Sequence, residues 1–315
     1  MAVYLITGGA GFIGSHLAQE LAGQGHRVRV LDNFTTGRRE NLEEVSGAVE
    51  VLEGDIRDRE TVRGAMAGVD FVLHHAALVS VTASVADPAT THDVTATGTL
   101  NVLLAAHRAS VERVVVASSC AVYGDAERLP ASEAQVPRPL SPYAAAKLAG
   151  EAYACALSGS SGLPAVCLRY FNVYGPRQDP GGDYAAVIAR FTARMLAGQP
   201  PVIYGDGSQT RDFIYVQDVV RANLLACHAD GAVGRVINVA TGRSVSVLAL
   251  AAALNRVLGT VLEPVFAPPR PGDVLHSRAA VDLAERALGF RAQIGLEAGL
   301  GRLVRYVQEH PAPGA

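Results

Sequence analysis

The chain has 315 residues, of which 49% are hydrophobic and 6% aromatic, and its formal net charge at pH 7 is −3. This length exceeds what one small core requires, and it predicts two lobes. The small net charge gives no indication of nucleic acid or a membrane surface as partner, and no apolar run is long enough to span a bilayer. Residues 3–6 already have the pattern of a strand, so we expect a cytoplasmic protein without a secretory leader.

The cysteine and lysine contents restrict the chemistry further. The four cysteines, Cys120, Cys155, Cys167 and Cys227, form no C-x-x-C pair. The sequence therefore favours reduced core thiols over a zinc or thioredoxin-type site. Lys and Arg together number 27, and Lys147 is the only lysine. Because a compact ammonium and a forked guanidinium are not equivalent at a tight site, we infer that position 147 specifically requires lysine.

The first half of the chain alternates short apolar strands with helical stretches. Strands are predicted at 3–7, 27–31, 49–52, 70–74, 112–117 and 164–170, and helices at 12–24, 58–67, 91–108 and 143–158. This alternation predicts an α/β fold with a Rossmann-type, doubly wound parallel sheet that has helices on both faces.

The amino-acid composition changes after about residue 175, where Gly and Pro cluster at 175–183, 198–207 and 264–272. We expect a smaller C-terminal α/β lobe that binds the substrate, with helices near 184–197, 216–229, 246–258 and 280–288. The predicted domains are 1–175, completed within about 210–240 by a strand at 235–239 that returns to the sheet, and 176–315.

A glycine-rich turn lies between the first strand and the first helix. Gly8, Gly11 and Gly14 have G-x-x-G-x-x-G spacing, which lets the backbone turn sharply and approach a pyrophosphate. The helix N-terminus then offers N–H groups and the positive end of its dipole. The motif therefore predicts a dinucleotide site.

An acid closes the second strand, as the ribose of a dinucleotide requires. Asp32 stands where a carboxylate would hold the adenosine ribose hydroxyls, and a carboxylate there repels a 2′-phosphate. The sequence thus favours NAD over NADP, although Arg38 and Arg39 lie nearby and weaken that preference.

Tyr143 and Lys147 lie four residues apart at the start of a predicted helix, so their side chains share one helix face. A free tyrosine has a pKa near ~10, and an adjacent ammonium favours the phenolate. Lowering that pKa to ~7 takes about 4 kcal/mol, which we expect from the lysine together with the positive nicotinamide ring. Ser118 and Ser119 follow the strand 112–117, at the sheet edge where ligands bind, and a hydroxyl there can bridge a sugar and Tyr143.

In combination, these motifs resemble the extended short-chain dehydrogenase/reductase family, and within it the UDP-galactose 4-epimerases. The matching segments follow family order over nearly the whole chain: 8–14, 32–33, 36–38, 54–56, 75–77, 118–119, 122–124, 143–147, 169–176, 207–213 and 270–273.

The resemblance implies residue roles. It implies that the catalytic residues are Ser119, Tyr143 and Lys147. It implies that NAD is held by Gly8, Gly11, Phe12, Ile13, Gly14, Asp32, Asn33, Gly37, Asp55, Ile56, Ala76, Tyr143 and Lys147. It implies that a UDP-sugar contacts Ser118, Ser119, Tyr143, Asn172, Tyr204, Arg211, Arg270, Asp273 and Ser277. Asp55 and Ile56 would flank the adenine, and the two arginines would clamp the diphosphate.

The implied reaction is NAD-dependent 4-epimerisation of a UDP-hexose, UDP-glucose or UDP-galactose, through a transient 4-keto sugar. Tyr143 would take the O4 proton while C4 gives a hydride to NAD and later receives it on the opposite face. Such proton and hydride transfer needs no metal. Helices 91–108 and 143–158 look like the family's dimer bundle, which implies a homodimer.

Two positions depart from the family pattern. Thr95 stands where members usually carry asparagine, and a hydroxyl can make only part of an amide's hydrogen bonds. Ser277 stands where a large aromatic residue restricts the pocket of some epimerases. A serine there predicts that the N-acetylated sugars UDP-GlcNAc and UDP-GalNAc are also accepted.

Three alternatives stay open. A nucleotide-sugar dehydratase would need an acid pair after the catalytic serine, where the chain has Cys120 and Ala121. A uronate epimerase or decarboxylase would need a cation for the sugar carboxylate. Asp179 stands where uronate epimerases tend to place arginine, while Arg177 keeps that alternative open. A non-catalytic NAD-binding module would be expected to lack Tyr143 or Lys147.

Overall fold

The computed structural model of the protein describes residues 1–181, 187–269 and 274–310. Its strands, in chain order, are β1 (Val3–Thr7), β2 (Arg27–Asp32), β3 (Val49–Glu53), β4 (Phe71–His74), β5 (Arg113–Ser119), β6 (Ala165–Tyr170), β7 (Asn172–Tyr174), β8 (Val202–Tyr204), β9 (Thr210–Arg211), β10 (Phe213–Tyr215), β11 (Val236–Val239), β12 (Val245–Ser246) and β13 (Val265–Ala267).

The α-helices are α1 (Phe12–Gly23), α2 (Arg59–Ala65), α3 (Val81–Ala86), α4 (Pro88–His92), α5 (Gly98–Ala109), α6 (Pro142–Ser161), α7 (Val187–Leu196), α8 (Val216–His228), α9 (Val247–Leu258), α10 (Asp282–Leu288) and α11 (Leu296–Glu309). Short 3₁₀ turns lie at Arg39–Val45, Cys120–Tyr123 and Asp230–Ala232, and a π-helical turn lies at Asp93–Thr97. Within the described stretches, no helix combines the length and the apolar character that a membrane span requires.

The main sheet has seven parallel strands in the order β11-β6-β5-β4-β1-β2-β3. The predicted Rossmann-type parallel sheet is confirmed, and the strand predicted at 235–239 is β11, which pairs with β6. The strand order reverses between β1 and β4, and open α/β sheets bind ligands at such a point, outside the carboxyl ends of the strands.

Two apolar layers hold the sheet between helices. Side chains alternate along β1, so Tyr4 and Ile6 pack against Leu17 of α1 on one face, while Leu5 packs against Leu103 of α5 on the other. Such strands are apolar at nearly every position because both faces are covered. Each fully buried leucine or isoleucine contributes about 1.5–3 kcal/mol to this packing.

The smaller elements after β6 surround a separate apolar cluster. β7 pairs with β10 and β8 with β13, both in parallel, and β9 pairs with β12 in antiparallel fashion. Phe191 of α7, Leu250 of α9 and Leu300 of α11 pack together beside them. The domain limits 1–175 and 176–315 stay a prediction. β11 follows residue 176 in the chain but belongs to the main sheet.

Two details of the helices differ from the sequence prediction. The helix predicted at 91–108 is interrupted, because the π-helical turn Asp93–Thr97 separates α4 from α5. Helix α11 was not predicted, although Leu300, Leu303 and Val304 have helical spacing and are buried.

Candidate functional site

The turn between β1 and α1 brings the main chain close to itself at its glycines. Gly8 has a φ of +69°, and a Cβ there would lie 2.7 Å from the backbone nitrogen of Ala76. A Cβ at Gly14 would overlap the carbonyl oxygen of Gly8. Gly11, the residue before α1, carries no side-chain cap, so the first-turn N–H groups of Phe12, Ile13 and Gly14 face outward.

This turn fits the pyrophosphate of a dinucleotide. Any side chain at Gly8 or Gly14 would fill the space in which the backbone approaches itself. The uncapped helix end offers N–H donors and a positive dipole end to an anion. The sequence motif and the geometry therefore agree on where NAD would lie.

Asp32, at the end of β2, is tied to the same turn. One carboxylate oxygen accepts a hydrogen bond from the backbone N–H of Ala10 and the other from that of Phe34, both at 2.9 Å. A Cβ at Gly37 would lie 2.8 Å from both oxygens, so glycine is required there. Asp32 thus supports the turn besides standing at the predicted ribose position.

The basic residues near Asp32 are already paired. Arg38 forms an ion pair with Asp179 at 3.0 Å. Arg39 pairs with Glu53, and its guanidinium lies 4.0 Å from the centre of the Phe34 ring. Neither arginine is left without an acid, which supports the predicted preference for NAD over its phosphorylated form.

The predicted adenine contacts lie at the end of β3. Asn33 donates a hydrogen bond from Nδ2 to Asp55 at 2.9 Å, and Arg57 binds the same carboxylate. The hydrogen bond from Arg57 is the main reason that the pKa of Asp55 is lowered to about 2. Ile56 is buried in the core, where it packs so closely on Gly98 that a Cβ there would overlap it.

The predicted catalytic residues meet at the carboxyl end of β5. Helix α6 begins as predicted, with Pro142 in its first turn and Ser141 accepting from the N–H of Ala144. Lys147 donates a hydrogen bond from Nζ to the carbonyl oxygen of Ala117, 2.8 Å away. The Ser119 hydroxyl is hydrogen-bonded to Tyr143. Both Tyr143 and Lys147 are 9% exposed, so their polar atoms sit in a largely dry environment.

The pKa of Tyr143 differs from the sequence expectation. Burial raises it to about 12, and the hydrogen bond from Ser119 only partly opposes that rise. Burial lowers the pKa of Lys147 to about 8, against the pull of the Glu151 carboxylate. The sequence expectation of a lowered pKa included the nicotinamide ring; in the protein alone, desolvation disfavours the phenolate, and the ammonium of Lys147 is directed at Ala117. The phenolate therefore needs a further positive charge.

Ser118 and Ser119 end β5 and make different contacts with α6. Ser118 is buried and donates its hydroxyl to Glu151, whereas Ser119 is hydrogen-bonded to Tyr143 of the same helix. The Ser118 hydroxyl is therefore engaged with Glu151, although the sequence predicted it beside the sugar with Ser119.

The predicted substrate residues lie on the small strands after β6. The Oδ1 atom of Asn172 is buried and has no hydrogen-bond partner among the described residues, which leaves it available to a ligand. Arg211 donates to the carbonyl oxygens of Thr210 and Leu275. Burial raises the pKa of Cys120, the neighbour of Ser119, to about 11, and the charge of nearby Arg211 only partly opposes that rise.

Ser277 and Tyr204 flank this region. The half-buried Ser277 donates its backbone N–H to Thr210 at 3.0 Å, next to Arg211. Tyr204 lies with its ring 5.6 Å from the guanidinium of Arg190. Arg270 and Asp273, also predicted to bind the substrate, lie outside the described residues.

Asp212 is a buried residue that the sequence analysis did not assign. Its carboxylate accepts hydrogen bonds from the N–H and hydroxyl of Thr241 and from the N–H groups of Gly242 and Ala279. It therefore holds three chain segments around Arg211. An acid directly before the apolar stretch 213–216 is the sequence signal that would have indicated such a role.

Arg177, which kept the uronate alternative open, is directed elsewhere. Its guanidinium donates to Gln19 at 2.9 Å and pairs with Glu44 at 3.3 Å, so α1 and the following 3₁₀ turn hold it. Asp179 pairs with Arg38. The buried Nη1 atom of Arg177 has no hydrogen-bond partner among the described residues, so the uronate alternative stays open.

Thr95 lies inside the π-helical turn and is buried. Its hydroxyl accepts a hydrogen bond from the backbone N–H of Leu78 at 3.1 Å, and its carbonyl accepts one from Thr99 at 2.6 Å. One hydroxyl thus supports the segment after β4, where the family usually uses an amide.

The chain is similar to known proteins over most of its length. Residues 4–240 match the model of the NAD dependent epimerase/dehydratase family. The chain is 41% identical over 307 residues to the UDP-glucose 4-epimerase of Mycolicibacterium smegmatis, covering 96% of this chain and 97% of that one.

Two solved structures are similar throughout. The UDP-glucose 4-epimerase of Thermotoga maritima, solved with UDP-glucose, has a TM-score of 0.93 and 39% identity over 98% of this chain and 99% of that one. The UDP-N-acetylglucosamine 4-epimerase of Methanobrevibacter ruminantium M1, solved with UDP-N-acetylmuramic acid, has a TM-score of 0.94 and 36% identity, covering 98% of both chains.

Proposed function

Because the chain belongs to the NAD-dependent epimerase/dehydratase family, we propose that it catalyses the NAD-dependent 4-epimerisation of a UDP-hexose and interconverts UDP-glucose and UDP-galactose. One observation carries this proposal: the Ser119 hydroxyl, Tyr143 and Lys147 converge at the carboxyl end of β5. The strand order reverses at the neighbouring strands β4 and β1, and β1 leads into the glycine turn.

NAD, when bound along the glycine turn, supplies an acceptor and donor of hydride for the sugar carbon C4. The chain's own residues would transfer the proton of the sugar hydroxyl. Tyr143 would accept the proton of the sugar O4, while Ser119 donates a hydrogen bond that favours the phenolate. Lys147, held by the carbonyl of Ala117, would add a positive charge to the same cavity. Burial of both side chains excludes water from the proton's path.

Several residues would hold the UDP-sugar. The unpartnered Oδ1 of Asn172 would accept from the ligand, and Arg211 would bind a phosphate with its fork. Tyr204 would pack on the uracil. Arg270 and Asp273 keep the roles predicted from the sequence.

We further propose that N-acetylated UDP-hexoses are substrates. Ser277 has a small side chain and lies beside Thr210 and Arg211, so the wall there leaves room that an aromatic ring would take. The similarity to a UDP-N-acetylglucosamine 4-epimerase supports this wider substrate range.

We also propose a cytoplasmic homodimer formed by α5 and α6. The exposed positions Ala145, Ala152, Tyr153 and Ala156 lie on one face of α6. Small side chains allow a second helix to approach closely, and Tyr153, 43% exposed, offers apolar area to bury. The four free cysteines are consistent with a reducing compartment.

The experiment incubates the purified protein with NAD and, separately, UDP-glucose, UDP-GlcNAc and UDP-glucuronate, and reads the anomeric proton signals by NMR. We expect galacto-configured products from the first two sugars without net NADH. A 4-keto product would indicate a dehydratase, and a pentose from UDP-glucuronate would indicate a decarboxylase. Absence of product from all three would overturn the proposal.

A further inference from the structure

A buried ion pair lies behind the catalytic residues. Glu151 of α6 and Arg169 of β6 have side chains 3% and 4% exposed. Two parallel hydrogen bonds join them, at 2.8 Å from Nε and 2.7 Å from Nη2. A buried ion pair contributes little net stability, since desolvation offsets the attraction, and apolar residues of similar volume often do as well. Its position therefore calls for a reason other than stability.

The ion pair is connected directly to the site. Glu151 follows Lys147 by four residues on α6, so the two side chains share a helix face. Its Oε1 atom also accepts the hydroxyl hydrogen of Ser118, the neighbour of Ser119. Lys147 in turn donates to Ala117. Glu151 and Lys147 thus bind consecutive residues of β5 from one helix.

The titratable groups around Lys147 differ in whether they are charged at neutral pH. The titratable and charged groups around Lys147 are Tyr143 and Glu151 on α6, His74 and His75 at the end of β4, Cys155 on α6, and Cys167 and Arg169 on β6. Burial lowers the pKa of both histidines to about 3, so they are neutral at neutral pH. The hydrogen bond with Cys155 and burial raise the pKa of Cys167, which keeps that thiol protonated.

The half-buried Cys155 differs from these groups, because its hydrogen bond with Cys167 lowers its pKa to about 7. Burial lowers the pKa of Lys147, and the charge of Glu151 is the main cause that opposes this effect, ahead of that of Cys167.

We propose that Glu151 is a positioning residue of the epimerase reaction: its carboxylate, oriented by Arg169, keeps Lys147 cationic and holds Ser118, and through it Ser119, against α6. The role rests on the proposed function, because it matters only if Lys147 acts as a cation beside Tyr143. Glu151 and Arg169 are both buried, and in this role they act through Lys147 and Ser118.

The single lysine makes a direct test possible. Protein labelled with ¹³C-lysine gives one lysine Cε signal, from Lys147, whose pH titration by NMR reports the Lys147 pKa in the NAD-loaded enzyme without any sugar. In Glu151→Gln we expect that pKa to fall by about 1 unit or more, as removal of a nearby opposite charge predicts. In Arg169→Gln the carboxylate loses the guanidinium that orients it, and we expect the lysine pKa to fall, although by less than in Glu151→Gln.

Activity gives the second readout. Since Lys147 must be cationic, the rate is lost as pH rises through its pKa. The alkaline limb of kcat/KM should therefore move to lower pH in Glu151→Gln, whereas loss of stability alone would not move it. Asp218→Asn is the matched control, because Asp218 is another buried carboxylate, bound to the N–H groups of Gln293 and Ile294.

The outcomes separate the two proposals. A Lys147 pKa within about 0.3 unit of wild type in Glu151→Gln, or an equal shift in Asp218→Asn, would overturn the role of Glu151. Should Glu151→Gln fail to fold, Arg169→Gln decides, since an unchanged or raised lysine pKa there contradicts the proposal. The NMR titration uses no UDP-sugar, so it stands even if 4-epimerisation proves wrong.

Discussion

The ammonium of Lys147 donates a hydrogen bond to the carbonyl oxygen of Ala117, 2.8 Å away, and so joins helix α6 to the end of β5. An ammonium on a four-carbon stem reaches this carbonyl inside a closed cavity. A guanidinium is planar, larger and always charged, so it would have to displace β5 or α6.

We therefore expect Lys147→Arg to lower kcat by roughly 10²-fold, the size of effect that a displacement of about 1 Å can have. The charge is kept, so the loss would come from geometry. The measurement is the rate of UDP-galactose conversion, with a thermal melt as control for folding. Near wild-type activity would mean that the single lysine carries no chemical requirement.

Tyr143→Phe should lower kcat by roughly 10²–10⁴-fold, the range for loss of a general base. Stability should change little, because the ring that fills the cavity is retained. Tyr153→Phe, on the outer face of the same helix, is the matched control and should keep full activity. Equal activity of the two variants would exclude Tyr143 as the base.

The pH behaviour of Tyr143 should depend on the cofactor. Burial raises its pKa to about 12, so the phenol is protonated at neutral pH in the protein alone. A positive nicotinamide ring favours the phenolate, so addition of NAD should lower this pKa and increase phenolate absorbance between pH 7 and 10. The spectrum of Tyr143→Phe, subtracted from that of wild type, isolates the residue. No NAD-dependent difference would contradict this account.

Gly14→Ala should weaken NAD binding by at least ~10-fold, because its Cβ would overlap the carbonyl oxygen of Gly8 and reshape the anion site. Gly23→Ala, at the end of the same helix, meets nothing within 4 Å. It should be neutral or stabilising by up to about 1 kcal/mol. Calorimetric titration with NAD and thermal melts compare the two variants, and equal affinities would argue against the turn as the pyrophosphate site.

Ser277→Tyr should remove most activity on UDP-GlcNAc while UDP-galactose is still converted, since an added ring excludes the larger N-acetyl group. We expect the ratio of the two kcat/KM values to change by roughly 10²-fold or more, about 3 kcal/mol in relative transition-state binding. A parallel loss on both sugars would indicate general damage, and wild-type turnover of UDP-GlcNAc below a thousandth of the UDP-galactose rate would contradict the assumed substrate range.

Ala152→Glu should convert the proposed dimer to a monomer, because it places a charge on the exposed small-residue face of α6. Val261→Glu, at a position 92% exposed after α9, is the control and should leave the assembly intact. Light scattering distinguishes one 32.8 kDa chain from two. A monomeric wild type would refute the dimer.

The main sheet could be predicted because most of its strands are apolar at most positions and alternate with helical stretches along the chain. The strands β9 and β12 could not, since two residues each are too short for a period to show. The break between α4 and α5 could not be predicted from the hydrophobic pattern. It changes the backbone hydrogen bonding over only the five residues of Asp93–Thr97.

The catalytic group was predictable from spacing, and its electrostatics were not. The four-residue interval between Tyr143 and Lys147 fixes their common face. The depth of Tyr143, which decides the direction of its pKa, depends on the packing of the whole cavity. Ser118 could not be placed from the sequence, because its hydrogen bond to Glu151 depends on how α6 packs on β5.

The two hydrogen bonds that Asp32 accepts bear on how the cofactor preference could change. An acid that only repelled a 2′-phosphate could be exchanged for a neutral residue in one step. Here the same exchange would also detach the N–H groups of Ala10 and Phe34, and an alanine would leave the glycine turn without its anchor. A change of preference from NAD to NADP would therefore need a second substitution that rebuilds the turn. A single substitution at position 32 would not be enough.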